Sequence, residues 1–190
     1  MGITIHWYGE VNDRDTTLNV INYATLFAKA LKWEYQLYTM KGDAKIEEMI
    51  LNVEGKTESF SLLIFDRNEH GKNVRWGIVI NAPEPIDIES IDISFFEYNN
   101  KFIMQNFCKT QAFNDEEIYN LIAHQIIISM LQTIKNTWMP DLKITDEGDF
   151  DKTYNFNVLI ENHAFLSNMI AHIGEMLSGS KDIKKFDGGR

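Results

Sequence analysis

The stretch Asn114–Pro140, NDEEIYNLIAHQIIISMLQTIKNTWMP, predicts one long helix against which the rest of the chain packs. Asn114 is a suitable N-cap, and three acidic residues follow it in the first turn, where the helix dipole favours negative charge. Apolar residues then recur at helical spacing and define a predicted buried stripe: Ile118, Leu121, Ile122, Ile126, Met130, Ile134 and Trp138. Pro140 ends the helix, because the residue before a proline avoids the helical conformation.

The regions on either side of this helix carry mostly strand signals. Helices are predicted over 16–32 and 157–177, and strands at 3–8, 33–40, 46–53, 59–66, 74–80, 91–95, 102–108 and 142–144. Within 46–53, the residues EEMIL also fit a helical turn. We expect turns at Gly42-Asp43 and Asn99-Asn100, because both residue types suit tight turns. The continuous apolar centre of Ser59–Asp66, SFSLLIFD, is typical of a central strand.

This order of elements predicts an α+β fold with a single, largely antiparallel sheet and about three long helices packed mainly on one face. The chain has 190 residues, of which 44% are hydrophobic, and is long enough to bury one substantial core. We therefore expect one domain over residues 1–180, followed by a polar tail over 181–190.

The charge balance bears on the class of partner. Lys and Arg number 18 against 28 Asp and Glu, so the formal net charge is −10. A surface with this excess repels phosphate backbones, which argues against nucleic acid as a partner. A basic protein partner suits it better, and the simpler alternative is acidity that keeps a cytoplasmic protein soluble.

The cysteine count and the amino terminus bear on the compartment. Cys108 is the only cysteine, which excludes an internal disulfide and a zinc site built from several cysteines. The start MGITIHWYGE lacks the basic residues and apolar block of a signal peptide. We expect a cytoplasmic protein with no membrane partner.

Three segments resemble those of a group of small uncharacterised bacterial proteins: GITIHWYG at Gly2–Gly9, FCKTQAF at Phe107–Phe113 and MPDLKITDEGDF at Met139–Phe150. SLLIFD at Ser61–Asp66 and the Glu34-Tyr35 pair fit the same pattern. The resemblance extends over the first 150 residues and implies no established activity. Beyond the DEG segment the chain reads FDKTYNF, which departs from the aromatic-rich tail of the group.

An acidic loop is the strongest polar cluster in the sequence. Its carboxylates are Asp146, Glu147, Asp149 and Asp151, and Gly148 lets the backbone turn between them. Closely spaced carboxylates can hold Ca²⁺ or Mg²⁺ through oxygen ligands, although the DxDxDG spacing of an EF-hand is absent. The alternative is a solvated turn between a strand and a helix, with no cofactor.

Other candidate site residues lie on the strands and helices. His6 lies on the polar face of the first strand, where it is either a general base or simply exposed. Lys109 and Gln111 end a strand, a common place for pocket-lining polar groups. His124 and His163 fall in the two later helices, where they are either a metal-binding pair or hydrogen-bonded core residues.

The sequence favours a non-enzymatic protein that binds another protein, such as an immunity or regulatory protein that neutralises a basic partner. An uncovered apolar face of the sheet would indicate either a homodimer or a surface for another partner. The alternative is a small metal-assisted hydrolase, or a small-ligand-binding domain, that uses His6 and the acidic loop. No Walker loop, GxGxxG, HExxH or GxSxG motif occurs.

Overall fold

Seven strands form one antiparallel sheet in the part of the chain that the structure describes. The computed structural model describes residues 2–53, 56–111, 117–162, 164 and 165, and at 44–64 and 117 it describes the backbone alone. The strands are β1 (Gly2–Val11), β2 (Glu34–Val53), β3 (Lys56–Arg67), β4 (Asn73–Asn81), β5 (Ile91–Tyr98), β6 (Lys101–Gln111) and β7 (Lys143–Asp146). Their order across the sheet is β3-β2-β4-β5-β6-β1-β7, which confirms a largely antiparallel α+β fold.

The helices are α1 (Arg14–Leu31), α2 (Glu117–Thr137) and the short α3 (Phe150–Thr153), and residues 156–162, 164 and 165 are also helical. Asp13 caps α1, because its side chain accepts a hydrogen bond from the Thr16 amide at 2.7 Å. Lys32 ends α1 in the left-handed conformation, at φ 58°. None of the described helices is long and apolar enough to cross a membrane.

One face of the sheet and the two long helices share a continuous core. From β1 it takes Ile3, Ile5 and Trp7, which lie on the face opposite the predicted polar face that carries His6. The helix α1 contributes Val20, Ile21, Ala24 and Ala28 to this core. The helix α2 contributes, among others, Leu121, Ile127, Ile128, Leu131 and Ile134. α1 and α2 also contact each other through the rings of Tyr23 and Trp138, whose centroids lie 5.3 Å apart.

The buried face of α2 differs from the predicted stripe. Asn120 and His124 are fully buried, whereas Ile118 and Ile122 are exposed, so placing these two isoleucines in the stripe was wrong. The reason is that both polar side chains form hydrogen bonds in the core. The start of the helix is therefore rotated so that Asn120 and His124 face the core and Ile118 and Ile122 face the surface. The predicted N-cap, Asn114, lies outside the described residues.

The turn predicted at Gly42-Asp43 was also wrong, because β2 runs straight through both residues. Gly42 pairs with both Asn73 of β4 and Arg67 of β3, so the partner of β2 changes from β4 to β3 at this residue. A Cβ atom on Gly42 would lie 2.3 Å from the Asp66 carbonyl oxygen. A side chain at position 42 would collide with β3, so glycine is needed where β2 and β3 come close together.

Two more predictions concern connections and strand order. The Asn99-Asn100 turn between β5 and β6 is confirmed, with φ of 50° and 60° as a tight hairpin requires. The strand at Ser59–Asp66 is confirmed within β3, but its predicted central position is wrong, since β3 is an edge strand of the sheet formed by the described residues. The last helix, predicted over 157–177, is described only as far as residue 165, and the tail 181–190 lies outside the described residues.

Candidate functional site

A buried row of three polar side chains joins β6, α2 and β7. The hydroxyl of Thr110 lies 2.8 Å from His124 Nδ1, and His124 Nε2 lies 2.9 Å from Asp146 Oδ1. Because an ionised carboxylate only accepts hydrogen bonds, His124 donates through Nε2. Thr110 and His124 are 0% exposed and Asp146 is 2% exposed.

Asp146 also organises the turn that follows it. Its carboxylate accepts hydrogen bonds from the backbone amides of Gly148 at 2.7 Å, Phe150 at 2.8 Å and Asp151 at 3.3 Å. Burial alone would raise the pKa of Asp146, but the hydrogen bond and charge of His124 and the backbone amides outweigh it and hold this pKa below its usual value. The carboxylate is therefore ionised and fully engaged within the protein.

The order hydroxyl, imidazole, carboxylate is also that of catalytic triads. A catalytic nucleophile must be accessible to its substrate, however, and all three side chains here are buried in the core. We therefore assign Thr110, His124 and Asp146 a structural role. The interpretation of His124 as a hydrogen-bonded core histidine agrees with this geometry, while His163 lies outside the described residues.

The other carboxylates of the acidic loop point to separate partners. Glu147 accepts a hydrogen bond from the Thr4 amide at 2.9 Å, and Asp149 forms an ion pair with Lys152. Asp151 has one buried carboxylate oxygen with no hydrogen-bond partner among the described residues, and its pKa is raised by desolvation and by the nearby charge of Asp146.

Among the described residues, no three His, Cys, Asp or Glu side chains are grouped in a way that could hold a metal ion. The predicted ligands Asp146, Glu147, Asp149 and Asp151 are thus close in sequence but are not brought together as one coordinating group. The Ca²⁺ or Mg²⁺ site stays a prediction.

The candidate residues His6, Lys109 and Gln111 share the sheet face that points away from α1 and α2. His6 is exposed, and its ring centroid lies 5.9 Å from that of Phe107 on β6. Because Asp146 pairs with Ile5, His6 and Asp146 lie on opposite faces of the sheet. The structure therefore does not place His6 together with the carboxylate of Asp146.

Cys108 is not a reactive thiol in this fold. It is buried on β6, and its Sγ donates a hydrogen bond to the Glu89 carbonyl oxygen at 3.2 Å. Burial raises the pKa of Cys108 to about 12, so the nucleophilic thiolate is scarce at neutral pH. Cys108 therefore acts as a small hydrophobic side chain of the core.

A second surface, which the sequence patterns did not single out, lies where α2 begins. Ile118, Tyr119 and Ile122 are 47%, 50% and 41% exposed. Asn120 lies between these residues in the sequence, but its side chain is buried. It accepts a hydrogen bond from the Asp87 amide at 2.7 Å. This bond joins the start of α2 to the connection between β4 and β5.

That connection is acidic and concave. Glu84, Asp87 and Glu89 are all exposed on it, and residues Glu84 to Asp87 line an open recess of about 390 Å³. We use the name α2 corner for Ile118, Tyr119 and Ile122 together with Glu84, Asp87 and Glu89, because the hydrogen bond between Asn120 and Asp87 joins the two segments that carry them. One sequence signal for it exists: no Lys or Arg occurs between Arg75 and Lys101, nor between Lys109 and Lys135.

Comparisons of the chain with family models, with curated proteins and with solved structures give no match. The resemblance carried by Gly2–Gly9, Phe107–Phe113 and Met139–Phe150 therefore stays a prediction. As far as they are described, these segments meet in the fold, because β6, β1 and β7 are neighbours in the sheet. Two of them contribute Thr110 and Asp146 to the buried row with His124.

Proposed function

We propose that this chain is a non-enzymatic, cytoplasmic protein that binds another protein through the α2 corner. The observation that carries the proposal is the exposure of three large apolar side chains, Ile118, Tyr119 and Ile122, on adjacent turns of one helix. Single exposed apolar residues are ordinary, but a contiguous apolar patch with a polar rim is typical of an interaction surface. Tyrosine is also enriched at the centres of such interfaces.

The charge around the corner supports a basic partner. Glu84, Asp87 and Glu89 are exposed on the connection that Asn120 joins to the start of α2, and the sequence adds Asp115, Glu116 and Glu117 just before the apolar side chains. Opposite charges on a partner speed association and exclude acidic competitors. An immunity or regulatory protein that neutralises a basic protein is the concrete form of this proposal.

The fold outside the described residues is part of the same proposal. We propose that a third long helix over 157–177 packs on the sheet face already covered by α1 and α2, within one domain over 1–180. Leu159 supports this, because it is fully buried in the common core. Asn162 supports it too, since its side chain donates a hydrogen bond to the Gly148 carbonyl oxygen at 3.1 Å.

A metal-assisted hydrolase or small-ligand-binding domain that uses His6 and the acidic loop is the alternative. His6 and Asp146 face opposite sides of the sheet, and Asp146 already accepts four hydrogen bonds, so this geometry favours the binding proposal. Thermal unfolding with and without Ca²⁺ or Mg²⁺ separates the two. A rise in the unfolding temperature that Asp149→Asn abolishes would favour the metal site.

The test of the binding proposal is capture of a basic protein from a lysate of the native host at low salt by the immobilised chain. We expect the double variant Ile118→Ser/Ile122→Ser to lose the captured protein, because it removes the apolar contact. The charge variant Glu84→Gln/Asp87→Asn/Glu89→Gln should weaken capture, as should high salt.

The matched control is Leu26→Ser, which removes an apolar side chain that is 64% exposed on α1, outside the corner. Leu26→Ser should capture as much partner as the natural chain. Equal capture by the Ile118→Ser/Ile122→Ser variant, or capture of acidic proteins only, would contradict the proposal.

A further inference from the structure

We infer that the chain forms a homodimer in which β3 pairs antiparallel with β3 of a second copy. β3 is 12 residues long and stands at the end of the sheet, where within the described residues it pairs with β2 alone. Its other side therefore presents a row of backbone amide and carbonyl groups that can add a strand. This surface does not include the α2 corner.

The sequence of β3 does not fit an edge strand. Phe60–Phe65 reads FSLLIF, a nearly continuous apolar run of the kind found in strands that have a neighbour on each side. Natural edge strands are usually protected by Lys, by Pro or by a short length. Neither residue occurs in Ser59–Phe65, so the segment has the composition of an interior strand in an edge position.

The pairing of β2 adds an independent reason. From Asp43 onward β2 pairs with β3 and no longer with β4, so Asp43–Val53 and Lys56–Arg67 form a two-stranded arm that extends beyond the β2–β4 pairing. A two-stranded ribbon is marginally stable in water, and three or more strands are needed for independent stability. Pairing of two β3 strands would convert two such arms into one four-stranded sheet.

Charge selects the register of this pairing. In an antiparallel pair, residues that lie opposite each other have their side chains on the same face of the sheet. The twofold axis of a symmetric pair therefore passes between one residue and the same residue of the second copy. The two registers with the longest overlap are centred on Ser61 and on Leu62. Centring on Ser61 places Lys56 opposite Asp66 twice, whereas centring on Leu62 places Glu58 opposite Asp66, a like-charge pair. The structure thus points to a dimer centred on Ser61.

The test uses two substitutions at that position. Residues opposite each other in an antiparallel pair have Cα atoms about 4.5–5.5 Å apart, within the range that a disulfide spans. We expect the natural chain to run as a dimer in size-exclusion chromatography with light scattering, and Ser61→Cys to form a covalent dimer on air oxidation. Ser61→Lys places two ammonium groups face to face and should give a monomer with an unchanged circular dichroism spectrum.

Thr145→Cys is the control, because Thr145 is exposed on β7 at the opposite edge of the sheet and should not cross-link. A natural chain that is monomeric at every concentration tested would overturn the inference. Equal cross-linking of Thr145→Cys and Ser61→Cys would overturn it as well, and so would a Ser61→Lys protein that stays dimeric. Failure here leaves capture by the α2 corner unaffected, so the two proposals are separable.

Discussion

Replacement of Asp146 by asparagine tests whether the buried row holds the fold together. The natural carboxylate accepts a hydrogen bond from His124 Nε2 and three from the backbone amides of Gly148, Phe150 and Asp151. The first three of these four hydrogen bonds are buried and the fourth is partly buried. An asparagine keeps the shape but loses the charge and turns one acceptor oxygen into a donor group. At least one buried donor is then left facing another donor.

The magnitude follows from the burial of the row. A hydrogen bond to a charged group contributes about 1.5–3 kcal/mol, and the asparagine amide group would disrupt at least one of the four that the carboxylate accepts and weaken the others. Whole domains are stable by about 5–15 kcal/mol. We therefore expect Asp146→Asn to lose about 3–5 kcal/mol of the free energy of unfolding at neutral pH. Urea denaturation followed by tryptophan fluorescence measures it, and Asp149→Asn, on the exposed side of the same loop, should change stability by less than about 1 kcal/mol.

The same variant makes a prediction about pH. The folded protein holds the pKa of Asp146 below the value of an unfolded aspartate, so its contribution to stability is complete above about pH 4. That contribution is lost as the pH falls through the folded pKa. The difference between natural and Asp146→Asn proteins should therefore shrink in acid, and a neutral-pH difference under about 1 kcal/mol would refute the structural role of the row.

Three further predictions concern separate parts of the fold. Asn120→Ala leaves the Asp87 amide without its side-chain acceptor and should cost about 1–3 kcal/mol in urea denaturation, with faster amide exchange at Asp87 as the local sign. Asn99→Val places a β-branched residue at φ 50° and should cost about 1–2 kcal/mol, whereas Asn99→Gly should be nearly neutral in the same assay. Cys108 should react with a thiol reagent only after unfolding, because its thiol is buried with a pKa of about 12, and rapid labelling of the native protein would contradict its placement.

The parts of the fold that local chemistry determines could be predicted from the sequence. Ile3, Ile5 and Trp7 alternate and are buried together, and Asn99-Asn100 makes the expected hairpin turn. The helix α2 also lies inside the predicted stretch. In each case the deciding interactions lie within a few residues along the chain.

The features that were missed depend on residues far apart in sequence. The rotation of α2 about its axis depends on Thr110, Asp87 and Asp146, which give partners to His124 and Asn120. The continuation of β2 depends on its change of neighbour at Gly42, which no local pattern encodes. For the same reason, Asp146 resembled a metal ligand in sequence but is a buried hydrogen-bond acceptor in the structure.

The measurement that tests the central proposal most directly is amide hydrogen exchange of the chain with and without the partner it captures. Binding through the α2 corner predicts slower exchange at Ile118–Ile122 and at Glu84–Glu89, with β7 unchanged. Protection confined to β7 or to the acidic loop, with the α2 corner exchanging as in the free protein, would contradict the proposal.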